Sequence, residues 1–220
     1  MTILIMSCDK NKDLFLPFHH CISKYWKDHP RIVYSLETTT NPYYKTINKN
    51  YGLDKWTRRV YETIQEIDDD YILLTIDDLF IREKVDTQRL LGLCEYLKDN
   101  VASINLEFAF DKQDTPLNSE LLARNKNGMY KLSCMCQIWQ RKALLDLFNC
   151  DKNPWQFEKD NQAKDYDFLI SKNGDYLNWG KQKDNWRWGI IKGKWSYECK
   201  EFFDKEGILI DYEKRGFFKK

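Results

Sequence analysis

The stretch DDDYILLTIDDLFI, residues 68–81, decides how the rest of the chain is read. Six uncharged residues, YILLTI (71–76), lie between two acidic clusters. The run is β-rich and apolar on both alternating faces, the pattern of a strand buried in the middle of a sheet. A strand of that kind must become polar where it emerges. Here it ends on two adjacent carboxylates, Asp77 and Asp78, and Leu79-Phe80-Ile81 follows at once. Paired carboxylates enclosed by apolar sequence are costly unless hydrogen-bond donors or a cation satisfy them. A hard divalent ion that also contacts a diphosphate would do so. A solvated strand end or a helix cap is the bland alternative. Asp68-Asp69-Asp70 precedes the strand, belongs to the opposite rim, and reads as a solvated turn.

Working outward, the same alternation recurs. TILIMS (2–7), RIVYSLET (31–38) and VASINLEF (101–108) read as strands. DLFLPFHHCISKYW (13–26), LDKWTRRVYETIQEI (53–67) and TQRLLGLCEYLKDN (87–100) read as helices. In the second, Leu53, Trp56, Val60, Ile64 and Ile67 share a face, with Asp54 as cap. TTTNPYY is a loop. The first half is therefore β-α-β-α-β-α-β, which predicts an α/β fold with a mainly parallel central sheet and helices on both faces. Ligands of such sheets bind at the carboxyl ends of the strands. That puts Ser7, Cys8 and Asp9, Glu37 and Thr38, and Asp77 and Asp78 on one rim. The second half is less regular: KLSCMCQIWQ (131–140) reads as a strand, RKALLDLF (141–148) as a helix, and NPWQFEKDNQAKDYDFLI (153–170) and NWRWGIIKGKW (185–195) follow with loops between. No linker or repeat divides the chain, so a single domain, 1–220, is expected, with 1–110 and 111–220 as its halves.

Composition sets limits. Thirty-five basic against 34 acidic residues leave a net charge of +1, which gives no global field for nucleic acid. Seven cysteines in no regular framework and no secretory signal suggest reduced thiols and a cytoplasmic setting. No apolar run reaches bilayer-spanning length. The basic tail EKRGFFKK, with two Phe, reads as solvated and admits peripheral membrane contact. Eight Trp and thirteen Tyr supply either a bulky core or stacking platforms.

Five segments in order, KWTRRVYETIQEI, YILLTIDDLFI, YKLSCMCQIWQRKALLDL, NPWQFE and GIIKGKW, resemble a group of GT-A fold glycosyltransferases that build bacterial capsular and surface polysaccharides, with relatives in large DNA viruses. The resemblance spans roughly residues 1–195. It implies a Rossmann-like domain, a nucleotide-diphosphate-sugar donor (a UDP-sugar first), Mn²⁺ or Mg²⁺, and a glycan or lipid-linked saccharide acceptor. Carried onto this chain, it implies Asp78 as metal ligand and Asp77 facing the donor's ribose or sugar. Ser7, Cys8, Asp9 and Thr38 would line the nucleotide pocket, with Trp56 or Arg59 touching the donor. Glu158 would be the general base, and Lys192 and Lys194 would neutralise the departing diphosphate beside Gly193. The adjacent acidic pair departs from the spaced D-x-D pattern. All three His (19, 20, 29) lie early, so no late His completes a metal shell. Glu158 as base implies inversion.

Other residues carry two readings. His19 and His20 read as packing or helix-surface residues. Trp139 reads as core, or as a border of an acceptor sugar. Trp186, Arg187 and Trp188 form an aromatic-basic patch suited to a sugar or to lobe packing. Two rival functions remain: a sugar-phosphate nucleotidyltransferase, which would normally have a Gly-rich loop where SCDKNKD stands, and a non-catalytic glycan-binding protein.

Overall fold

The computed structural model describes residues 1–107, 111–128, 130–160, 163, 165–178 and 188–219. Its main sheet has nine strands: β1 (Thr2–Met6), β2 (Ile32–Leu36), β3 (Lys45–Asn48), β4 (Tyr71–Ile76), β5 (Val101–Asn105), β6 (Thr115–Pro116), β7 (Leu121–Ala123), β8 (Gln137–Gln140) and β9 (Asp167–Ser171). The strand order is β3-β2-β1-β4-β8-β5-β9-β7-β6. β3, β2, β1 and β4 are parallel to one another, and so are β5 and β9. β8 enters antiparallel between β4 and β5, with Ile138 opposite Leu73 on one side and Ile104 on the other. Among the described residues, seven of the nine strands run one way and only β7 and β8 oppose them.

Each central strand is buried on both faces, so alternate residues enter two separate cores. Ile3, Ile5 and Leu73 face one core, closed by α1 (Phe15–Tyr25), α3 (Thr87–Gly92) and α6 (Tyr197–Glu206). Leu4, Met6, Ile72 and Leu74 face the other, closed by α2 (Trp56–Gln65), α4 (Arg141–Phe148) and α5 (Pro154–Glu158). The mainly parallel sheet with helices on both faces agrees with the sequence reading.

Several local expectations are corrected. β3 lies just past the TTTNPYY loop, in a stretch for which no element is expected, because its burial pattern leaves only Ile47 inside. The helix expected over 87–100 stops at Gly92 and continues as a 3-10 turn to Tyr96. The strand expected over 131–140 forms only from Gln137. Leu53 is 58% exposed and leaves the apolar face assigned to it. Asp54 does not cap α2, whose N-cap position is Lys55 without a side-chain hydrogen bond. The Thr57 amide donates to the Lys152 carbonyl (3.0 Å) instead, and the Thr57 hydroxyl to Cys150 (2.6 Å). Asp69 is no simple solvated turn residue, since it accepts from the Thr2 hydroxyl and from Arg31 (3.1 Å) and ties the strand starts together.

Residues 190–195 form a hairpin, β10 (Ile190–Ile191) and β11 (Lys194–Trp195), whose turn residues Lys192 and Gly193 have φ of +50° and +79°. Two consecutive positive φ values make a tight hairpin turn that matches strand twist, which is the structural use of Gly193. The C-terminal segment is docked, not solvated: Arg215 clasps Asp13 through two bonds (2.6 and 2.7 Å), and Phe217 stacks on Tyr197 at 4.6 Å. All seven cysteines are free. Among the described residues no helix is long and apolar enough to cross a membrane.

Trp139 is fully buried, edge-on to Phe168 at 6.1 Å, and borders no open site. Trp139→Ala is expected to cost about 3–5 kcal/mol in urea unfolding, whereas Leu209→Ala, at a residue 94% exposed, should stay within about 0.5 kcal/mol.

Candidate functional site

β1, β2 and β4 end on the same rim, and a cleft of about 630 Å³ opens there. Ser7, Cys8, Asp9, Trp56, Arg59, Asp77 and Asp78 all line it. Parallel neighbours end together, which is why residues seventy positions apart in the chain meet at this edge.

Asp77 is buried (2% exposed) and accepts hydrogen bonds from the Ser7 hydroxyl and from Asn11 Nδ2 (3.1 Å). Burial pushes its carboxyl up to about 6, although those two bonds and the charge of Arg215 pull the other way. Asp78 is less well served. Its Oδ1 is buried with no hydrogen-bond partner. Burial first, and then the negative charge of Asp77, raise its carboxyl to about 7. An orphaned, desolvated carboxylate oxygen beside a second carboxylate is the environment that a hard cation relieves. No group of three or more His, Cys, Asp or Glu side chains converges as a metal cage among the described residues. The pair therefore fits an ion that takes one or two carboxylates and completes its shell from water and phosphate, as Mg²⁺ commonly does.

The cleft wall on the β1–β2 side is a linked polar network. Arg59, 3% exposed, donates to the Ser7 carbonyl (2.8 Å) and pairs with Glu37. Glu37 accepts from the Asp9 amide (2.7 Å). The Asp9 carboxylate accepts from the Thr38 and Thr39 amides and the Thr38 hydroxyl. Against the effect of burial, those bonds lower its carboxyl to about 2. Thr38 is thus held outside the lining, and its role is to fix Asp9. Arg59 is a wall element and not a solvated side chain. Trp56 gives one edge to the cleft and packs the rest of its ring on Phe148 and Phe157 at 5.7 and 6.2 Å.

The opposite wall comes from the loop that leads into β8. Because β8 is antiparallel to β4, that loop arrives at the rim where β4 ends, and Cys134 and Pro154 line the cleft there. Glu158, at the end of α5, accepts from the Cys134 amide (2.8 Å) and so stands behind this wall, adjacent to the cleft but not among the residues that line it. Burial raises its carboxyl above the ordinary value, partly offset by that bond. A capping box between Asn153 and Gln156, with Pro154 in the first turn, sets the start of α5.

Lys192 and Lys194 are not among the cleft residues. They occupy the turn and second strand of the β10–β11 hairpin, and Lys192 lies over the Phe218 ring at 5.9 Å. The exposed cation that does line the cleft is Lys10, with Asn11 beside it. Both directly follow the Ser7–Asp9 strand end, so proximity in sequence was the available signal. Arg215 carried no such signal. It donates to Asn11 Oδ1 (2.9 Å), and Asn11 in turn donates to Asp77, so residue 215 acts on the acidic pair through one amide. Gly189 is a further contributor, its amide donating to the Asp78 carbonyl at 2.9 Å. A Cβ there would meet the Phe80 ring at 2.2 Å. Of the aromatic-basic patch, Trp186 and Arg187 lie outside the described residues.

The chain matches no protein-family model and no curated protein. Among solved structures it is similar to S. aureus TarS 1–349 in complex with UDP, with TM-score 0.49 and 11% identity over 77% of this chain and 56% of that one. The chain thus spans little more than half the length of that structure. It is also similar to the galactosyltransferase LgtC in complex with donor and acceptor sugar analogs, with TM-score 0.41 and 9% identity over 66% of this chain and 60% of that one. A third similar structure is CMP:2-keto-3-deoxy-manno-octonic acid synthetase complexed with CTP, with TM-score 0.46 and 9% identity over 77% and 88%.

The raised carboxyls have a signed consequence for stability. Between the ordinary carboxyl range near 4 and about 7, the folded chain holds protons that the unfolded chain has released. Stability contributed by this site is therefore present at low pH and lost as pH rises through that window. In EDTA, Asp78→Asn is expected to raise the unfolding free energy at pH 8 by about 2 kcal/mol and to leave it within about 0.5 kcal/mol at pH 4. Urea titrations at the two pH values measure the difference.

Proposed function

We propose that this chain is a GT-A-type glycosyltransferase that moves a sugar from a nucleotide-diphosphate donor, a UDP-sugar first, to an acceptor hydroxyl of a glycan. The observation that carries the reading is the orphaned Oδ1 of Asp78 beside Asp77, both residues lining the cleft. In this reading Asp78, with Asp77 adjacent, holds Mn²⁺ or Mg²⁺. The ion, when bound, supplies positive charge to the donor's diphosphate. Lys10, exposed on the cleft lining, adds a second positive charge for the departing nucleoside diphosphate. Asp77, fixed by Ser7 and Asn11, orients the donor's ribose or sugar.

Glu158 is the base of the transfer. The acceptor oxygen attacks the anomeric carbon, the bond from that carbon to the diphosphate oxygen breaks, and the hydroxyl proton passes to the Glu158 carboxylate. Burial behind the Cys134 wall raises the proton affinity of that carboxylate, which suits it to the role. Direct displacement inverts the anomeric configuration.

Titration calorimetry of UDP, GDP and dTDP, each with Mn²⁺ and again with EDTA, tests the donor site. One nucleotide is expected to bind with Mn²⁺ only, and Asp78→Ala to weaken it by at least ~100-fold. Absence of binding by any nucleotide under both conditions would refute the reading. Once a donor is known, Glu158→Gln should lower kcat by roughly 10²–10⁴ with little change in KM. A product retaining the donor's anomeric configuration would remove Glu158 from its role as base.

A further inference from the structure

A second cavity, of about 890 Å³, lies beside the β10–β11 hairpin and the start of α6. That volume is in the range of about 300–1,000 Å³ typical of small-ligand sites. Its walls include three aromatic rings, Trp188, Tyr197 and Phe218, and its charged groups are Lys192, Glu198 and Lys219. Resting on the donor reading above, we propose that this cavity is a saccharide-binding site that holds the acceptor glycan.

Three observations support that assignment. The first is the chemistry of the lining. Rings beside side chains of both charge signs suit a ligand with a flat C–H face and a hydroxyl edge. The rings bury the face, while Glu198 accepts from hydroxyls and the lysines donate to them. The second is preorganisation. Tyr197 is 52% exposed, yet its ring is held by stacking on Phe217 at 4.6 Å and interplanar 13°. Phe217 is in turn stacked on Tyr212 at 5.3 Å. A large exposed ring fixed in this way loses little freedom when a ligand covers it. The third is connection to the acidic site. Trp188 and Ile190, both in the cavity wall, flank Gly189, whose amide donates to the Asp78 carbonyl. The Ser196 amide donates to the Gly189 carbonyl at 3.0 Å, which brings the start of α6 to the same point. One residue, Gly189, thus separates the cavity wall from the main chain of Asp78. The lysines that the sequence resemblance assigned to the diphosphate include Lys192, which here belongs to the saccharide site.

The test uses the full chain on a printed array of oligosaccharides, followed by saturation-transfer NMR with those it retains. Wild type is expected to retain at least one oligosaccharide class. Tyr197→Ala should weaken that binding at least ~10-fold, and Tyr197→Phe should restore it because the ring is kept. Nucleotide affinity in Mn²⁺, read on the same proteins by calorimetry, should stay within about twofold for both variants and reports that they are folded. If nucleotide binds and no oligosaccharide does, or if Tyr197→Ala binds the oligosaccharide as wild type does, the saccharide site is overturned while the donor site stands. If oligosaccharide binds and nucleotide does not, the donor reading falls and the cavity is a glycan-binding site without transfer.

Discussion

Two carboxylates end a strand that water reaches on neither face, and much of the surrounding structure is arranged around that electrostatic cost. Adjacent anions repel, and burial denies them the solvent that would screen the repulsion. Ser7 and Asn11 answer for Asp77. Asp78 has its main-chain carbonyl satisfied by Gly189, while its side-chain Oδ1 is left without a partner. The asymmetry within the pair is informative. Here one is anchored and the other is left short of a positive charge.

The central alternation was legible because burial on both faces leaves an unmistakable record: YILLTI and TILIMS are apolar at every position but one or two, and their partners in the sheet read the same way. The rim residues Ser7, Asp9, Glu37, Asp77 and Asp78 followed from that, since parallel strands must end together. What could not be read depends on tertiary context. β3 is an edge strand with one inward residue, Ile47, so it has no periodic signal. The cap of α2 is supplied by the main chain of residues 150 and 152, and no local pattern announces a partner ninety residues away. Lys192 and Lys194 lie on the β10–β11 hairpin and not among the cleft residues, and sequence spacing does not encode where a short hairpin packs.

The polar network through Arg59, Glu37, Asp9 and Thr38 explains why one wall of the cleft is rich in charge without being a bank of free ligands. The two terminal nitrogens of Arg59 are taken by Glu37 and the Ser7 carbonyl, and the Asp9 carboxylate by the loop after β2. Such a network ties the ends of β1 and β2 together. Linked ion pairs and hydrogen bonds of this kind resist displacement because moving any one member breaks the bonds of its neighbours.

The acidic pair is also held by parts of the chain far from it in sequence. Arg215 reaches Asp77 through Asn11, and Gly189 reaches Asp78 through its carbonyl. Trp195 stacks on Phe80 at 6.1 Å and Phe80 meets Phe203 edge-on at 4.9 Å, so the residues immediately after the acidic pair are packed into the same aromatic layer as the hairpin and α6. A shift of the hairpin would therefore move the Asp78 main chain, and a ligand seated against Trp188 and Tyr197 would bear on that same layer. The rim cleft and the aromatic cavity are thus joined by a short run of packed and hydrogen-bonded atoms, with Phe80 and Gly189 at its centre. The close fit of those two residues leaves no room for a side chain at position 189. That steric constraint fixes how the hairpin sits against the end of β4.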